Sequence, residues 1–285
     1  MAKEFFDEII ECLQREKKRH NSARLSQETA KLFFGDIPNK KAAPQKQHKD
    51  VPVEVPDNAV TSISFRPPLV SPHSTHEPGG TPQSASCSGR PCTFDLASCD
   101  SLESLQKLVA NCANCKLAPT RTHLVFGEGN PHAELMFIGE GPGREEDLQG
   151  RPFVGAAGQL LDRMISAMQF SRSEVYIANV VKCRPPQNRN PEPDEAAACI
   201  GILHRQIELI QPKVIVLLGA VAMQYLLNVR GIRSQRGKWL QFHTIPVMPT
   251  YHPAYLLRTA SAKRDTWSDL QQVMKIFGKT YQAGK

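Results

Sequence analysis

Residues 134–147 read ELMFIGEGPGREED, and this stretch sets the expected fold. Its first half is a short apolar run bounded by Glu134 and Glu140, which is typical of a strand buried on both faces. Glycines at 139, 141 and 143 follow, and they let the backbone come close to a ligand. The stretch therefore predicts a strand that ends in a ligand-binding loop, as in parallel sheets.

The chain beyond residue 101 repeats this alternation of strand and helix. Further strands are predicted at 175–181 (VYIANVV), 213–219 (KVIVLLG) and 244–249 (TIPVMP). Helices are predicted near 156–170, 193–210, 220–228 and 263–277, after a helix capped by Ser101. Apolar strands alternating with helices predict an α/β fold around a mostly parallel, four-stranded sheet covered on both faces.

Composition divides the 285-residue chain into three parts. Residues 1–35 predict an N-terminal helical segment, because Phe5, Ile9 and Leu13 recur at helical spacing. Ten prolines between Pro38 and Pro91, with few large apolar residues, predict that 36–100 is a disordered linker. Residues 101–285 form the predicted folded domain. The N-terminal segment either docks a protein partner or caps the domain.

The charge of the chain is concentrated in the predicted domain. Residues 101–285 hold 22 Lys/Arg against 15 Asp/Glu, which accounts for the whole net charge of +7. A basic domain suits a polyanion such as nucleic acid, although a mildly basic soluble enzyme has the same composition. No apolar run approaches the roughly 20 residues of a membrane span, and acidic residues near the N-terminus disfavour a secretory signal. We therefore expect a cytoplasmic protein without membrane contact, acting as a monomer.

The glycine loop has two chemical interpretations. It resembles a dinucleotide fingerprint, but Pro142 removes a donor and acidic side chains crowd the place of a pyrophosphate. A second glycine-rich segment, 150–161 (GRPFVGAAGQLL), holds Phe153 between a proline and a valine-glycine pair. Phe153 is either a core residue or a stacking platform.

Two polar residues stand at predicted strand ends. Asn179 lies among apolar neighbours, where an amide either reads the edge of a base or caps the next loop. His252, held by Pro253, is placed for acid–base or electrostatic work. Upstream, a basic loop (Arg230, Arg233, Arg236, Lys238) suits phosphates or is an ordinary solvated face.

Cysteines provide a metal-site pattern. Eight cysteines without an export signal argue against a disulfide framework. Cys112-x-x-Cys115 combines with Cys183 and Cys199 as a four-thiolate set, which suits zinc or an iron–sulfur cluster, while free buried thiols remain the simpler alternative. The other four, Cys12, Cys87, Cys92 and Cys99, are assigned no ligand role.

These segments, in this order, resemble the family-4 uracil-DNA glycosylases over roughly residues 103–280. The resemblance rests on Gly139–Asp147, Gly150–Leu161, Asn179–Arg189, His252-Pro253-Ala254 and the cysteine quartet. It implies a three-layer α/β/α domain with a structural [4Fe-4S] cluster on Cys112, Cys115, Cys183 and Cys199. It also implies hydrolysis of the N-glycosidic bond of deoxyuridine in uracil-containing DNA.

The resemblance also implies roles for single residues. Phe153 would stack on the extruded uracil, Asn179 would bond the uracil edge and reject cytosine, and His252 would stabilise the leaving anion. Gly141, Gly143 and Glu146 would line the pocket, and Tyr255 and Leu256 would fill the space left by the base. The best-known uracil glycosylases carry an Asp where this chain has Gly141. Water activation is therefore open between Glu140, which we favour, Glu146, and no acidic group.

Two other functions fit parts of the sequence. A protein that traps uracil-DNA would share the fold, but such proteins carry a His-bearing insertion where Lys182 here runs directly into Cys183. A nucleotide-binding or polymerase-associated module would use the glycine loop, but the chain lacks the lysine of a P-loop. The N-terminal segment separately suggests a tether to a replication protein.

Overall fold

A computed structural model of the chain describes residues 94–280. The predicted N-terminal segment and most of the predicted linker, including Cys12, Cys87 and Cys92, lie outside these residues. Within them, no helix is both long and apolar enough to span a bilayer.

The centre of the fold is a sheet of six strands in the described residues. Its strands are β1 (Glu128–Gly129), β2 (Leu135–Gly139), β3 (Tyr176–Asn179), β4 (Val214–Leu218), β5 (Leu240–Phe242) and β6 (Ile245–Thr250). They are ordered β1-β3-β2-β4-β6-β5, and the central four run parallel. The predicted sheet of four strands is thus corrected to a mixed sheet of six, because an antiparallel strand borders each edge.

Helices cover both faces of the sheet. They are α1 (Leu102–Val109), α2 (Arg144–Gln149), α3 (Ala156–Ala167), α4 (Pro193–Ile210), α5 (Ala220–Leu227), α6 (Ile232–Gln235), α7 (Pro253–Arg258) and α8 (Ala262–Ile276). Alternate residues of β2 enter two separate cores: Met136 and Ile138 pack with α1, α4 and α5, whereas Leu135 and Phe137 pack with α3, α7 and α8. This arrangement confirms the three-layer α/β/α fold.

Packing begins upstream of the predicted boundary at residue 101. Cys99 is buried, and the guanidinium of Arg205 in α4 donates to the carbonyls of Ala97 (3.3 Å) and Cys99. The predicted cap of α1 is present, since the Ser101 hydroxyl accepts from the backbone N–H of Ser104 at 3.2 Å. The final residues of the predicted linker therefore belong to the domain.

The four parallel strands end at one edge of the sheet. In the strand register Gly139 lies opposite Asn179, and Leu218 lies opposite Thr250. The segments that follow these residues converge there, since carboxyl ends of parallel strands share an edge. This edge carries the sequence-predicted site.

Candidate active site

An open cavity of about 420 Å³ lies at the carboxyl edge of the sheet. Every predicted substrate-contacting or catalytic residue lines it: Glu140, Gly141, Gly143, Glu146, Phe153, Asn179 and His252. These residues are up to 112 positions apart in the chain, from Glu140 to His252. The fold thus brings them together as the sequence predicted, although their roles are a separate question.

The floor of the cavity is formed by Asn179 and Phe153 above Gly139. A Cβ on Gly139 would lie 2.5 Å from Asn179 Oδ1 and 2.5 Å from the Phe153 ring. Only glycine lets both side chains approach this strand end. Asn179 is buried, and its Oδ1 has no hydrogen-bond partner in the described structure. A buried unpaired acceptor is costly, so this atom is suited to a ligand that donates a hydrogen bond.

Phe153 is held in a strained backbone conformation. Its φ of 51° is in the left-handed region, which costs about 1–3 kcal/mol for a bulky residue. Arg172 donates to the carbonyls of Pro152 (2.5 Å) and Phe153 (3.3 Å), and to Asp162 at 2.7 Å. A Cβ on Gly158 would lie 1.9 Å from the Phe153 carbonyl oxygen. The turn that aims Phe153 thus depends on Arg172, which the sequence alone gave no reason to select.

His252 is a neutral hydrogen-bond donor. Its Nδ1 accepts from the backbone N–H of Ala254 at 3.1 Å, so the ring proton is assigned to Nε2. Burial lowers the pKa of His252 to about 4, helped by Arg258 and opposed by Glu146. Gly219 makes room for it, because a Cβ there would lie 3.0 Å from the Cβ of His252.

Glu140 carries a carboxyl group that is poorly solvated. Burial raises its pKa to about 7, and no charge or hydrogen bond from the described residues offsets that effect. The group is therefore divided between acid and carboxylate near neutral pH. A carboxyl with such a pKa inside a cleft suits proton transfer.

Glu146 braces the two glycine segments. Its Oε2 accepts from the backbone N–H of Gly143 (3.0 Å), and its Oε1 accepts from those of Val154 (2.9 Å) and Gly155 (2.8 Å). Three backbone donors occupy both oxygens, which leaves Glu146 in the cavity wall with little capacity to act on water. The geometry distinguishes it from Glu140.

The cavity rim differs from the sequence prediction at one residue. Leu256 was expected to enter the space left by an extruded base, but it is wholly buried in the core shared with α3 and α8. The next residue, Leu257, is 47% exposed. Tyr255 lines the cavity as expected and packs against Tyr251, with ring centroids 5.0 Å apart. Successive residues of a helix point in different directions, so Leu256 faces the core while Leu257 faces solvent.

The basic loop upstream contains a structural arginine. Arg236 contacts the buried carboxylate of Asp269, and Asp269 also accepts from the Thr250 hydroxyl at 2.7 Å. Arg236 is therefore engaged within the protein, whereas the sequence left the whole loop open between phosphate binding and a solvated face. Arg230, Arg233 and Lys238 are exposed and remain suited to phosphates.

The four predicted cysteine ligands converge beside β3. Three of them, Cys112, Cys183 and Cys199, are buried, and Cys115 is half-buried. Burial, opposed by Lys182 and assisted by the nearby thiols of Cys183 and Cys115, raises the pKa of Cys199 to about 12. Within residues 94–280, no three His, Cys, Asp or Glu side chains are close enough to hold a single metal ion. The thiols thus share one neighbourhood without the tight spacing of a one-ion site.

Hydrogen-bond donors surround these thiols. Arg121 Nη1 donates to Cys183 Sγ (3.3 Å) and to the Cys112 carbonyl (2.6 Å), and the backbone N–H of Lys182 donates to Cys199 Sγ at 3.3 Å. Such donors stabilise the anionic sulfur of a metal-bound thiolate. The donor set therefore fits a thiolate-bound group.

Comparison with known proteins agrees with the fold and assigns the chain to a family. A model of the uracil DNA glycosylase superfamily matches residues 126–271. A type-4 uracil-DNA glycosylase of Sulfurisphaera tokodaii is 46% identical over 187 residues, covering 62% of this chain and 85% of that protein. One from Archaeoglobus fulgidus is 41% identical over 189 residues, covering 63% and 95%. The chain belongs to the uracil DNA glycosylase superfamily, in its type-4 family.

A more distant similarity is to part of a polymerase. A DNA polymerase of Bacillus phage SP01 is 28% identical over 156 residues, which cover 54% of this chain and 17% of that polymerase.

Proposed function

We propose that this enzyme hydrolyses the N-glycosidic bond of deoxyuridine in DNA and leaves an abasic site, the first step of base excision repair. The observation that carries the proposal is the unpaired Oδ1 of Asn179, buried beneath Phe153 in a cavity that also contains His252. A uracil ring is flat and offers one N–H donor between two carbonyl acceptors. The cavity offers a matching acceptor in Asn179 Oδ1, and it offers hydrogen-bond donors in the Asn179 amide nitrogen and His252.

Recognition begins with a base that leaves the helical stack or is already single-stranded. The uracil stacks on Phe153, while its N3–H donates to Asn179 Oδ1 and its O4 accepts from the Asn179 amide nitrogen. Cytosine has an acceptor at N3 and a donor amine at C4, so both contacts fail. An unpaired buried polar group costs about 1–3 kcal/mol, which favours uracil over cytosine.

His252 stabilises the leaving group. As the bond between C1′ and N1 breaks, the electron pair goes to uracil, and the sugar becomes cationic. The Nε2–H of neutral His252 donates to the O2 that gains negative charge. A neutral donor suits this step, because its bond strengthens only as charge develops.

Glu140 acts on the water. The carboxylate form accepts a proton from a water molecule whose oxygen attacks C1′, so the products are an abasic sugar and a uracil anion that is later protonated by solvent. Its raised pKa of about 7 makes the carboxylate basic enough for this transfer near neutral pH. Glu146 holds the loops in place.

Cys112, Cys115, Cys183 and Cys199 would hold a [4Fe-4S] cluster, which takes four cysteine thiolates as ligands. When bound, the cluster would supply structural cross-linking of the segment after α1, the loop after β3 and α4, and it would take no part in bond cleavage. The buried thiols and their N–H donors support this assignment.

A gel assay tests the proposed function. Protein purified without oxygen is incubated with an oligonucleotide holding one uracil, and strands are broken at abasic sites with alkali. We expect breaks at uracil, and none at thymine or cytosine in matched strands. A protein–DNA adduct that survives denaturation would instead support a trapping protein. Binding of free nucleotide without base release would support a nucleotide-binding module.

We further propose that residues 1–35 bind a replication protein. The helical periodicity of this segment and the proline-rich spacer after it support the proposal, as does the related region within a phage polymerase. The test is a pull-down with the full chain, compared with a full chain in which residues 1–35 are scrambled. Equal recovery of replication proteins by the two chains would contradict it.

A further inference from the structure

Lys182 is an unusual feature of the domain that the proposed reaction leaves unused. Its side chain has no exposed surface, and it lies three residues after the end of β3 and one residue before Cys183. The Nζ donates to the backbone carbonyl of Asn179 at 2.9 Å and to Gln206 Oε1 at 2.6 Å. Burial of a lysine in a core is expensive unless charge or hydrogen bonds compensate it.

None of the acceptors around this ammonium group is a carboxylate in the described structure. Gln206 is neutral, and its Nε2 donates onward to the carbonyl of Phe126 (3.0 Å) and to the Tyr176 hydroxyl (3.2 Å). Cys199 and Cys183 act electrostatically on Lys182, and their sulfurs would be anionic as metal-bound thiolates. The backbone N–H of the same residue donates to Cys199 Sγ.

We infer that Lys182 is the internal counter-charge of the cysteine-bound cluster and a positioning residue that connects this cluster to Asn179. The inference rests on the proposed cluster. Four thiolates around a [4Fe-4S] core carry net negative charge, which compensates the buried ammonium. Lys182 in turn fixes the carbonyl of Asn179, whose side chain forms the floor of the uracil site.

In this arrangement the cluster would keep the ammonium group of Lys182 in contact with Asn179. Without it, Lys182 would be a buried cation lacking a counter-ion, and its ammonium group would withdraw from the Asn179 carbonyl toward solvent. The uracil-binding side chain is then no longer held at the strand end. Loss of the cluster and loss of Lys182 should therefore damage the same property, which is affinity for uracil.

Variants of Lys182 separate charge from hydrogen bonding. Lys182→Gln removes the charge but keeps a donor, whereas Lys182→Met removes both. Lys116→Met is the matched control, because Lys116 adjoins Cys115 but is half exposed and already paired with Glu192 and Asp194. None of the three variants removes a proposed cluster ligand.

The first readout is the reduction potential of the cluster in the intact protein. A nearby cation stabilises the more negative, reduced cluster. We expect Lys182→Gln and Lys182→Met each to shift the reduction equilibrium at least tenfold toward the oxidised form, which is about 59 mV for one electron. Lys116→Met should match wild type. Equal potentials for all four proteins would overturn the inference.

The second readout is the inhibition constant of free uracil. We expect it to rise at least fivefold in Lys182→Met, less in Lys182→Gln, and not in Lys116→Met. Wild-type protein stripped of iron by a chelator should show the same weakening, which provides a measurement if neither variant folds. Unchanged uracil affinity after iron removal would overturn the coupling to Asn179.

Two further results distinguish the role of Lys182 from the proposed cluster and from the proposed enzyme activity. Wild-type protein that contains neither iron nor sulfide would overturn both the cluster and the role of Lys182. A shifted potential in protein that releases no uracil would leave the counter-charge intact and overturn the proposed enzyme activity.

Discussion

The rings of Phe153 and His252 lie 5.7 Å apart with their planes inclined by 32°. They come from opposite halves of the domain, Phe153 from the loop before α3 and His252 from the residue before α7. Both rings face the same cavity, so a base stacked on Phe153 lies beside the imidazole. The ring of Phe153, on which uracil would stack, is therefore adjacent to the imidazole of His252, which would donate a hydrogen bond to the uracil anion.

Removing the proposed catalytic groups should slow bond cleavage. We expect His252→Ala and Glu140→Ala each to reduce the single-turnover rate by about 10²-fold or more. Phe153→Ala should mainly weaken uracil binding, and its effect should not add fully to that of His252→Ala, because the two rings touch. Rates within a few-fold of wild type for both single variants would contradict the assigned roles.

The pH dependence of cleavage should report Glu140. Because the carboxylate is the active form and its pKa is about 7, the rate should rise through pH 7 and level off above pH 8. His252, with a pKa of about 4, stays neutral across this range and adds no step. Glu140→Gln should abolish the dependence, and single-turnover rates from pH 5 to 9 test it.

The contribution of Glu140 to folding stability should fall as pH rises, whereas the cleavage rate rises with pH. The folded protein keeps a proton on this group between about pH 4.5 and 7, where the unfolded chain has lost it. The contribution of Glu140 to stability is therefore present at low pH and is lost as pH rises through 7. We expect Glu140→Gln to unfold at a higher temperature than wild type at pH 8, and at a similar temperature at pH 4.5.

The preference for uracil over cytosine should depend on the side-chain amide of Asn179. In Asn179→Asp the side chain loses its donor for uracil O4 and gains an acceptor for the cytosine amine. We expect uracil excision to fall by about 10²-fold and the preference for uracil over cytosine to shrink. Asn179→Ala is the control, since it should lose uracil excision without improving relative excision of cytosine.

Two adjacent leucines of α7 should behave differently. Leu256→Ala should destabilise the domain by about 2–5 kcal/mol, because Leu256 is wholly buried. Leu257→Ala should leave stability nearly unchanged and slow excision from double-stranded DNA several-fold more than from single strands, where no vacated space needs filling. Thermal unfolding and paired excision assays distinguish the two residues. The reverse pattern would restore the original prediction for Leu256.

The sequence by itself determined the parallel core of the fold. Strands β2, β3, β4 and β6 were predictable because each is a mostly apolar run with buried residues on both faces. Strands β1 and β5 were missed, since two or three half-buried residues carry no periodic pattern. The set of cavity residues was also predictable, because glycines, Asn179 and His252 directly follow strands that end at one edge.

Only the tertiary structure decided what those side chains can do. The sequence left Arg236 open between a phosphate ligand and a solvated side chain, because its partner Asp269 lies 33 residues away in the chain. The pKa of Glu140 depends on burial, and the exposure of Leu257 instead of Leu256 depends on which side of α7 meets α3 and α8. Lys182 looked like the end of a strand until its ammonium group was placed against Asn179 and the cysteines. Local patterns encode backbone structure, whereas burial and long-range partners, which set charge and reactivity, exist only in the folded chain.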